Sequence, residues 1–187
     1  MKTIREKQNT AFDAMKAAFG YKNRLQAPRL VKIAVSVGTG KAKDPKREEL
    51  IADRLAKITG QKPSVRGAKK SIASFKVRQG DPVGLLVTMR GGRAMKFLDK
   101  LVNIAIPRMK DFRGLSRRGL DELGNYTFGI KEHTIFTETS NEDLKDVFGM
   151  AMTLVTTAKD KKEAESFLEV LGLPFKKGEG PLHRQVF

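Results

Sequence analysis

The chain has 187 residues, 40% of them apolar and 31% charged, a balance that supports one folded domain with a sizeable core rather than a disordered segment. A formal net charge of +16 points to a polyanionic partner, and the lack of any cysteine excludes disulfide and thiolate chemistry and admits a reducing cytosol. The charge is lopsided: residues 1–60 carry 14 basic and 6 acidic groups, 61–118 carry 15 and 3, and 119–187 carry 8 and 12. Such bipolarity predicts a nucleic-acid face in the first two thirds and another role for the acidic end.

Lys2, Arg5 and Lys7 open the chain with no unbroken apolar run behind them, and no stretch has the length to span a bilayer. The sequence therefore reads as soluble and intracellular, without a membrane partner. Ile4, Phe12, Met15 and Phe19 recur at helical spacing over residues 2–19, with Gly20 as the stop, although Gln8 interrupts the stripe. Leu30–Val37 then alternates, with Val31, Ile33, Val35 and Val37 on one side and Lys32, Ala34 and Ser36 on the other, as a half-buried strand does. Asp44-Pro45 is a helix start; Leu50, Ile51, Leu55 and Ile58 form its apolar face, and Gly60 its end.

Gly60–Gly84 sets Lys62, Arg66, Lys69, Lys70, Lys76 and Arg78 against one acid, Asp81. Gly60, Pro63, Gly67, Gly80, Pro82 and Gly84 forbid a single helix there, so the cations fall on short strands and exposed loops. A second alternating strand follows, with Leu85, Val87 and Met89 facing one way and Leu86, Thr88 and Arg90 the other. The next helix covers 93–106 on Ala94, Phe97, Leu98, Leu101 and Ala105, and Pro107 closes it. Asp111–Asp121 is glycine-rich and basic, hence loop. Tyr126, Phe128 and Ile130 alternate in a third strand, and Ser140–Asp143 could open a short helix. Gly149–Thr157 is a fourth long strand. Asp160-x-x-Glu163 resembles a capping box, ahead of a last helical stripe of Ala164, Phe167, Leu168 and Leu171 ended by Gly172 and Pro174. These elements predict an α+β fold: an antiparallel or mixed sheet with helices packed on one face, in a single domain over residues 1–177 with a basic protruding loop and a tail at 178–187.

Gly38-Thr39-Gly40-Lys41 lacks the spacing of a phosphate loop and reads as a strand-to-helix turn. His133 and His183 stand fifty residues apart with no other metal-ligand pattern, so neither a metal nor another cofactor is expected; His133 reads as a strand-end cap. Ser71 and Ser74 show no positioned base, and Asp81, Asp99 and Asp111 suggest local ion pairs, so no enzyme is predicted. Tryptophan is absent and most of the phenylalanines fall on core stripes, which favours structured RNA read by phosphate, 2′-hydroxyl and shape over single strands.

Six blocks in order carry a family resemblance: Gly60–Pro63 (GQKP), Ala68–Ala73 (AKKSIA) with Phe75, Val87–Gly91 (VTMRG), Phe97–Leu101 (FLDKL), Pro107–Gly114 (PRMKDFRG) and Gly124–Glu132 (GNYTFGIKE). Val155–Ala158 (VTTA) and Leu173–Lys176 (LPFK) continue it. The chain resembles the bacterial large-subunit ribosomal protein L-five family, which binds 5S rRNA.

That resemblance implies a sheet whose open face grips 5S rRNA in the central protuberance, beside 23S rRNA and other ribosomal proteins, in the cytoplasmic ribosome. The family's polar contacts fall on Gln61, Thr88 and Ser36, where serine replaces the family asparagine and keeps a hydroxyl but not the amide's reach. Lys32, Arg66, Lys69, Lys70 and Arg90 are expected around them. The loop of about Ser71–Pro82, with Lys76, Arg78 and Gln79, is expected to meet P-site tRNA. An inter-subunit bridge to small-subunit head protein thirteen is expected to use Glu138, Glu142, Asp143 and Asp146, with Arg113. A non-ribosomal double-stranded or structured-RNA module or RNA chaperone is the alternative reading.

Overall fold

The computed structural model describes residues 3–40, 45–140 and 146–176. Thr3 begins the first helix, α1 (Ile4–Phe19): its hydroxyl accepts the Glu6 N–H at 3.3 Å and the Glu6 carboxylate accepts the Thr3 N–H at 3.0 Å. This reciprocal pair satisfies two of the N–H groups that a helix start leaves without partners. There follow β1 (Leu30–Gly38), α2 (Pro45–Thr59), β2 (Ser64–Gly67), β3 (Pro82–Arg90), α3 (Gly91–Lys100), β4 (Tyr126–Ile130), β5 (Met150–Thr156) and α4 (Lys161–Leu171). The strands make an antiparallel sheet in the order β2-β3-β1-β5-β4, so the α+β expectation holds. In β4 and β5 every second side chain is buried, and the same holds in β3 from Leu85 and in β1 from Ile33 onward.

The described residues fall into two compact units, neither of them one continuous segment: Ile33–Met89 with Gly129–Met152 forms one, and three segments from the rest of the chain form the other. In the three-segment unit α1 packs on both α3 and α4. Lys7 Nζ donates to the Leu171 carbonyl at 3.0 Å, a cation at the carbonyl-rich end of α4. In the unit containing α2, Ile51, Leu55 and Ile58 are buried, and the Thr137–Thr139 turn packs against this helix. Leu50 is only half-buried. Gly60 follows α2 at φ 68°, a conformation that glycine adopts without a side-chain clash.

Four local expectations are corrected. Val31 is 42% exposed, because Leu30 is buried in its place and the alternation shifts by one at the start of β1. Helical backbone continues past 106: Leu101–Ala105 widens to a π turn, closed by the Ile106 N–H on the Leu101 carbonyl, and Ile106–Arg108 tightens to a 3-10 turn. Pro107 has no N–H for an i−4 bond, so the winding changes ahead of it. Asp160 precedes α4 without a side-chain cap bond. Glu163 is buried instead, where it accepts the Tyr21 hydroxyl and the Lys159 N–H. Asp99 makes no ion pair among its described bonds; it accepts the Ile4 N–H at 3.4 Å and the Asn103 amide at 2.9 Å. The Asp44 cap and the Asn141–Asp143 part of the expected short helix lie outside the described residues.

Burial, and then the Glu163 carboxylate, push the Tyr21 phenol above its ordinary range. Tyr21→Phe should lower stability by about 1–3 kcal/mol at neutral pH, because it strips a donor from a buried acceptor. A raised folded pKa makes that advantage complete below the ordinary tyrosine value of about 10 and lost as pH rises through the folded value. Denaturation of both proteins across that range should therefore show the gap closing; a gap indifferent to alkaline pH would contradict the assignment.

Candidate nucleic-acid interface

Burial of one strand face dictates what the other presents. In β1, Val35 and Val37 are buried at 0% and 3% exposure, which leaves Ser36 between them exposed. In β3, Leu85, Val87 and Met89 are buried, which turns Leu86 and Thr88 outward and half-exposed. The two strands are neighbours in the sheet, and the Thr39 N–H donates to the Val83 carbonyl at 3.0 Å where they meet. A Cβ added at Gly84 would stand 2.9 Å from the Val37 carbonyl, so glycine is what allows the backbones this approach.

Gln61 enters from the far end of α2. Its side-chain amide donates to the Thr88 carbonyl at 3.3 Å, and its N–H reaches the Thr59 hydroxyl at 3.3 Å. Thr59 is itself tied to the Leu55 carbonyl at 2.7 Å. Gln61 is thus held against β3 by its amide nitrogen. β2 pairs antiparallel with β3, with Ser64 opposite Leu86 and Arg66 opposite Gly84, so Ser64 and Arg66 share the face of Leu86 and Thr88. Ser64 Oγ donates to the Leu86 carbonyl at 3.1 Å, and Arg66 is exposed.

Beyond β2 the chain forms a loop closed by its own backbone. The Ala68 N–H donates to the Asp81 carbonyl at 2.8 Å and the Gly80 N–H to the Ala68 carbonyl at 3.0 Å. The Arg78 N–H donates to the Asp81 carboxylate at 2.9 Å, and the Gln79 N–H to Ser71 Oγ at 3.0 Å. Lys69, Lys70, Lys76, Arg78 and Gln79 are all exposed on this frame. The structure therefore brings Ser36, Gln61, Thr88 and Arg66 onto one surface of this unit, with the loop cations attached to it.

The remaining predicted residues are more scattered. Lys32 is half-buried on β1, and Arg90 is exposed at the start of α3; both belong to the other unit. Glu138 is exposed in the Thr137–Thr139 turn, Asp146 is half-buried, and Glu142 and Asp143 lie outside the described residues. Arg113 is exposed in the other unit. Nearby Arg117, from the same basic loop, is engaged instead by Glu165, Glu169 and the Lys176 carbonyl.

Thr39 of the glycine-flanked turn is buried and donates to the Glu48 carboxylate at 3.1 Å, a structural tie rather than a phosphate cradle. His133 is fully buried: its N–H donates to the Phe148 carbonyl at 3.1 Å, its Nδ1 accepts the Phe148 N–H at 3.3 Å, and the two rings stack at 4.1 Å. Among the described residues there is no grouping of side chains that could hold a metal ion, and no helix is long and apolar enough to cross a membrane.

Two family models match, one described as "Ribosomal protein L5" over residues 23–78 and one describing the C-terminus of the same ribosomal protein family over residues 82–175. The chain belongs to the ribosomal protein L5 family. It is 46% identical to the large ribosomal subunit protein uL5 of Thermoanaerobacter sp. (strain X514) over 179 residues, 95% of this chain and 100% of that one. The protein of the same name from Natranaerobius thermophilus is 49% identical over 162 residues, covering 86% of this chain and 90% of the relative. That from Kocuria rhizophila is 49% identical over 170 residues, 90% of each. Proteins of this family are structural components and not enzymes. The resemblance carried by GNYTFGIKE and DFRG is thereby established, and both blocks lie inside the second matched range.

One residue escaped the sequence reading. Phe75 follows AKKSIA, and the apolar periodicity elsewhere suggested that phenylalanines serve the core, yet Phe75 is 72% exposed on the loop. The signal available was its setting, a lone aromatic amid Lys69, Lys70, Lys76 and Arg78 with no partner stripe. For the β1–β3 junction, Gly84→Ala should destabilise by about 1–3 kcal/mol, the usual range for overpacking. Thermal or chemical denaturation measures it, and unchanged stability would show that the strands separate freely there.

Proposed function

We propose that this chain is a structural constituent of the large ribosomal subunit that binds 5S rRNA and helps to attach it in the central protuberance, beside 23S rRNA and other ribosomal proteins of the cytoplasmic ribosome. The observation that carries this reading is the Gln61 amide clasped to the Thr88 carbonyl on the outward face of β3, in the sheet neighbour of the strand bearing Ser36. These are neutral donors and acceptors on a frame of paired backbone, able to meet riboses and base edges in a helical RNA of fixed shape. Arg66, Lys69 and Lys70 supply phosphate contacts, and Lys32 and Arg90 add charge on β1 and at the end of β3. Phosphate contacts hold and orient, while the polar face and the shape of the sheet discriminate.

The exposed loop with Lys76, Arg78 and Gln79 contacts P-site tRNA in this reading. Charge contacts on an exposed loop are screened by salt and suit a partner that arrives and leaves. Glu138 and Asp146, with Glu142, Asp143 and Arg113, contribute to a contact with small-subunit head protein thirteen. The acidic side chains favour a basic protein there over RNA.

Titration with 5S rRNA over a salt series should give a steep fall in affinity, and Lys69→Ala or Lys70→Ala should each flatten the log–log slope by roughly one. Gln61→Ala and Thr88→Ala should each weaken binding by roughly fivefold to tenfold, the scale of one hydrogen bond, with the slope unchanged. A flat salt response, or full affinity in both neutral variants with the fold intact, would overturn the site.

A further inference from the structure

The loop between β2 and β3 carries more than charge. Ile72 and Val77 exchange backbone hydrogen bonds of 2.9 and 3.3 Å, which closes a tight turn over Ala73–Phe75. Lys76 completes it at φ 51°, a left-handed conformation unusual for a side-chain-bearing residue. The turn raises Phe75 to 72% exposure and Ile72 to 46%. Behind them opens a hollow of about 990 Å³ lined by Ile72, Phe75, Val77, Val83, Lys69 and Lys70. Burial in the core does not account for Phe75, and phosphate binding does not require it.

Contiguous exposed apolar surface of this kind marks a contact site. Here its surroundings select the partner: Lys69 and Lys70 line the same hollow, and Asp81, the acid of this loop, is turned to the Arg78 N–H. An apolar plane bordered by cations matches a nucleobase, whose faces are apolar and whose backbone is anionic. A purely apolar protein partner would gain nothing from the lysines.

We propose that Phe75, supported by Ile72, is a stacking platform for an unpaired nucleobase of folded RNA, so that the loop recognises a base as well as phosphates. This rests on the reading that the loop meets RNA, and it adds base stacking to the expectation that structured RNA is read by phosphate, 2′-hydroxyl and shape. Phe75 is then a specificity-determining residue, set in a hollow whose lysines make its surroundings cationic.

The test uses the full chain and two stem–loop RNAs of equal length and charge, one with a loop of about seven nucleotides, within the site size of a stacking surface, and one with abasic sites in place of the loop bases. The wild type should prefer the base-bearing loop by roughly tenfold, the scale of one base–aromatic stack. Phe75→Ala should abolish that preference with the salt slope unchanged, and Phe75→Tyr should restore it. Affinity of Phe75→Ala for 5S rRNA is measured alongside, and it should stay at the wild-type value. Equal binding of both RNAs by the wild type would overturn the platform. So would an equal loss on both RNAs in Phe75→Ala, which would make Phe75 a support of the loop. If the variant bound both RNAs normally but failed to hold a ribosomal protein in reconstituted particles, the occupant would be a protein and the proposal would fail. Failure of the 5S interaction itself would appear separately, as salt-insensitive binding with wild-type Phe75 in place.

Discussion

Burial of Ile33, Val35 and Val37 in β1 and of Leu85, Val87 and Met89 in β3 is the constraint on which the surface depends. Each such side chain contributes about 1.5–3 kcal/mol when removed from water. A slip of one residue in either strand would turn an entire apolar set to solvent. The register is therefore strongly specified, and with it the outward placement of Ser36 and Thr88. The RNA-facing candidates owe their position to neighbours that never meet a ligand.

Two kinds of surface result. The open strand face sets neutral groups beside Arg66, ordered by strand pairing and by Gln61, and its groups are spaced by the sheet rather than by their own flexibility. The loop next to it is cationic and exposed, yet its turns are fixed by hydrogen bonds from Ala68, Gly80, Arg78 and Gln79. A rigid face suits a permanent partner, and salt-screened charges on a loop suit a transient one. In the other unit, the contacts of Lys7, Tyr21 and Arg117 with α4 and the segment after it tie distant parts of the sequence together. None of these contacts requires a ligand.

Where the sequence was legible, a period was repeated often enough to outweigh local accidents. Leu85 to Met89, Tyr126 to Ile130 and the stripe of α4 were each readable from spacing alone, because burial on one side is what maintains a period. The polar positions Ser36 and Thr88 followed from the same alternation, whereas Gln61 as a site residue came from family resemblance. Single-residue inferences fared worse. Glu163 has capping-box spacing, but the tertiary partner Tyr21 recruits it into the interior, and no local pattern encodes a residue 142 positions away. Val31 is displaced from the buried set by Leu30, because a strand end can shift phase without losing its interior pairs. Pro107 signalled an interruption but not its form, since a proline can be accommodated by a π turn as readily as by a stop. Phe75 was missed because aromatic residues are ordinarily evidence of core, and only its setting among Lys69, Lys70, Lys76 and Arg78 distinguished it.

Crosslinking of the full chain to 5S rRNA, with mass spectrometric assignment of the joined peptides, tests the central claim most directly. The account predicts crosslinks in peptides covering Ser36, residues 61–70 and Thr88, with none on the exposed sides of α1 and α4. Crosslinks concentrated on α1 and α4, with the strand face and the basic loop unmodified, would contradict it.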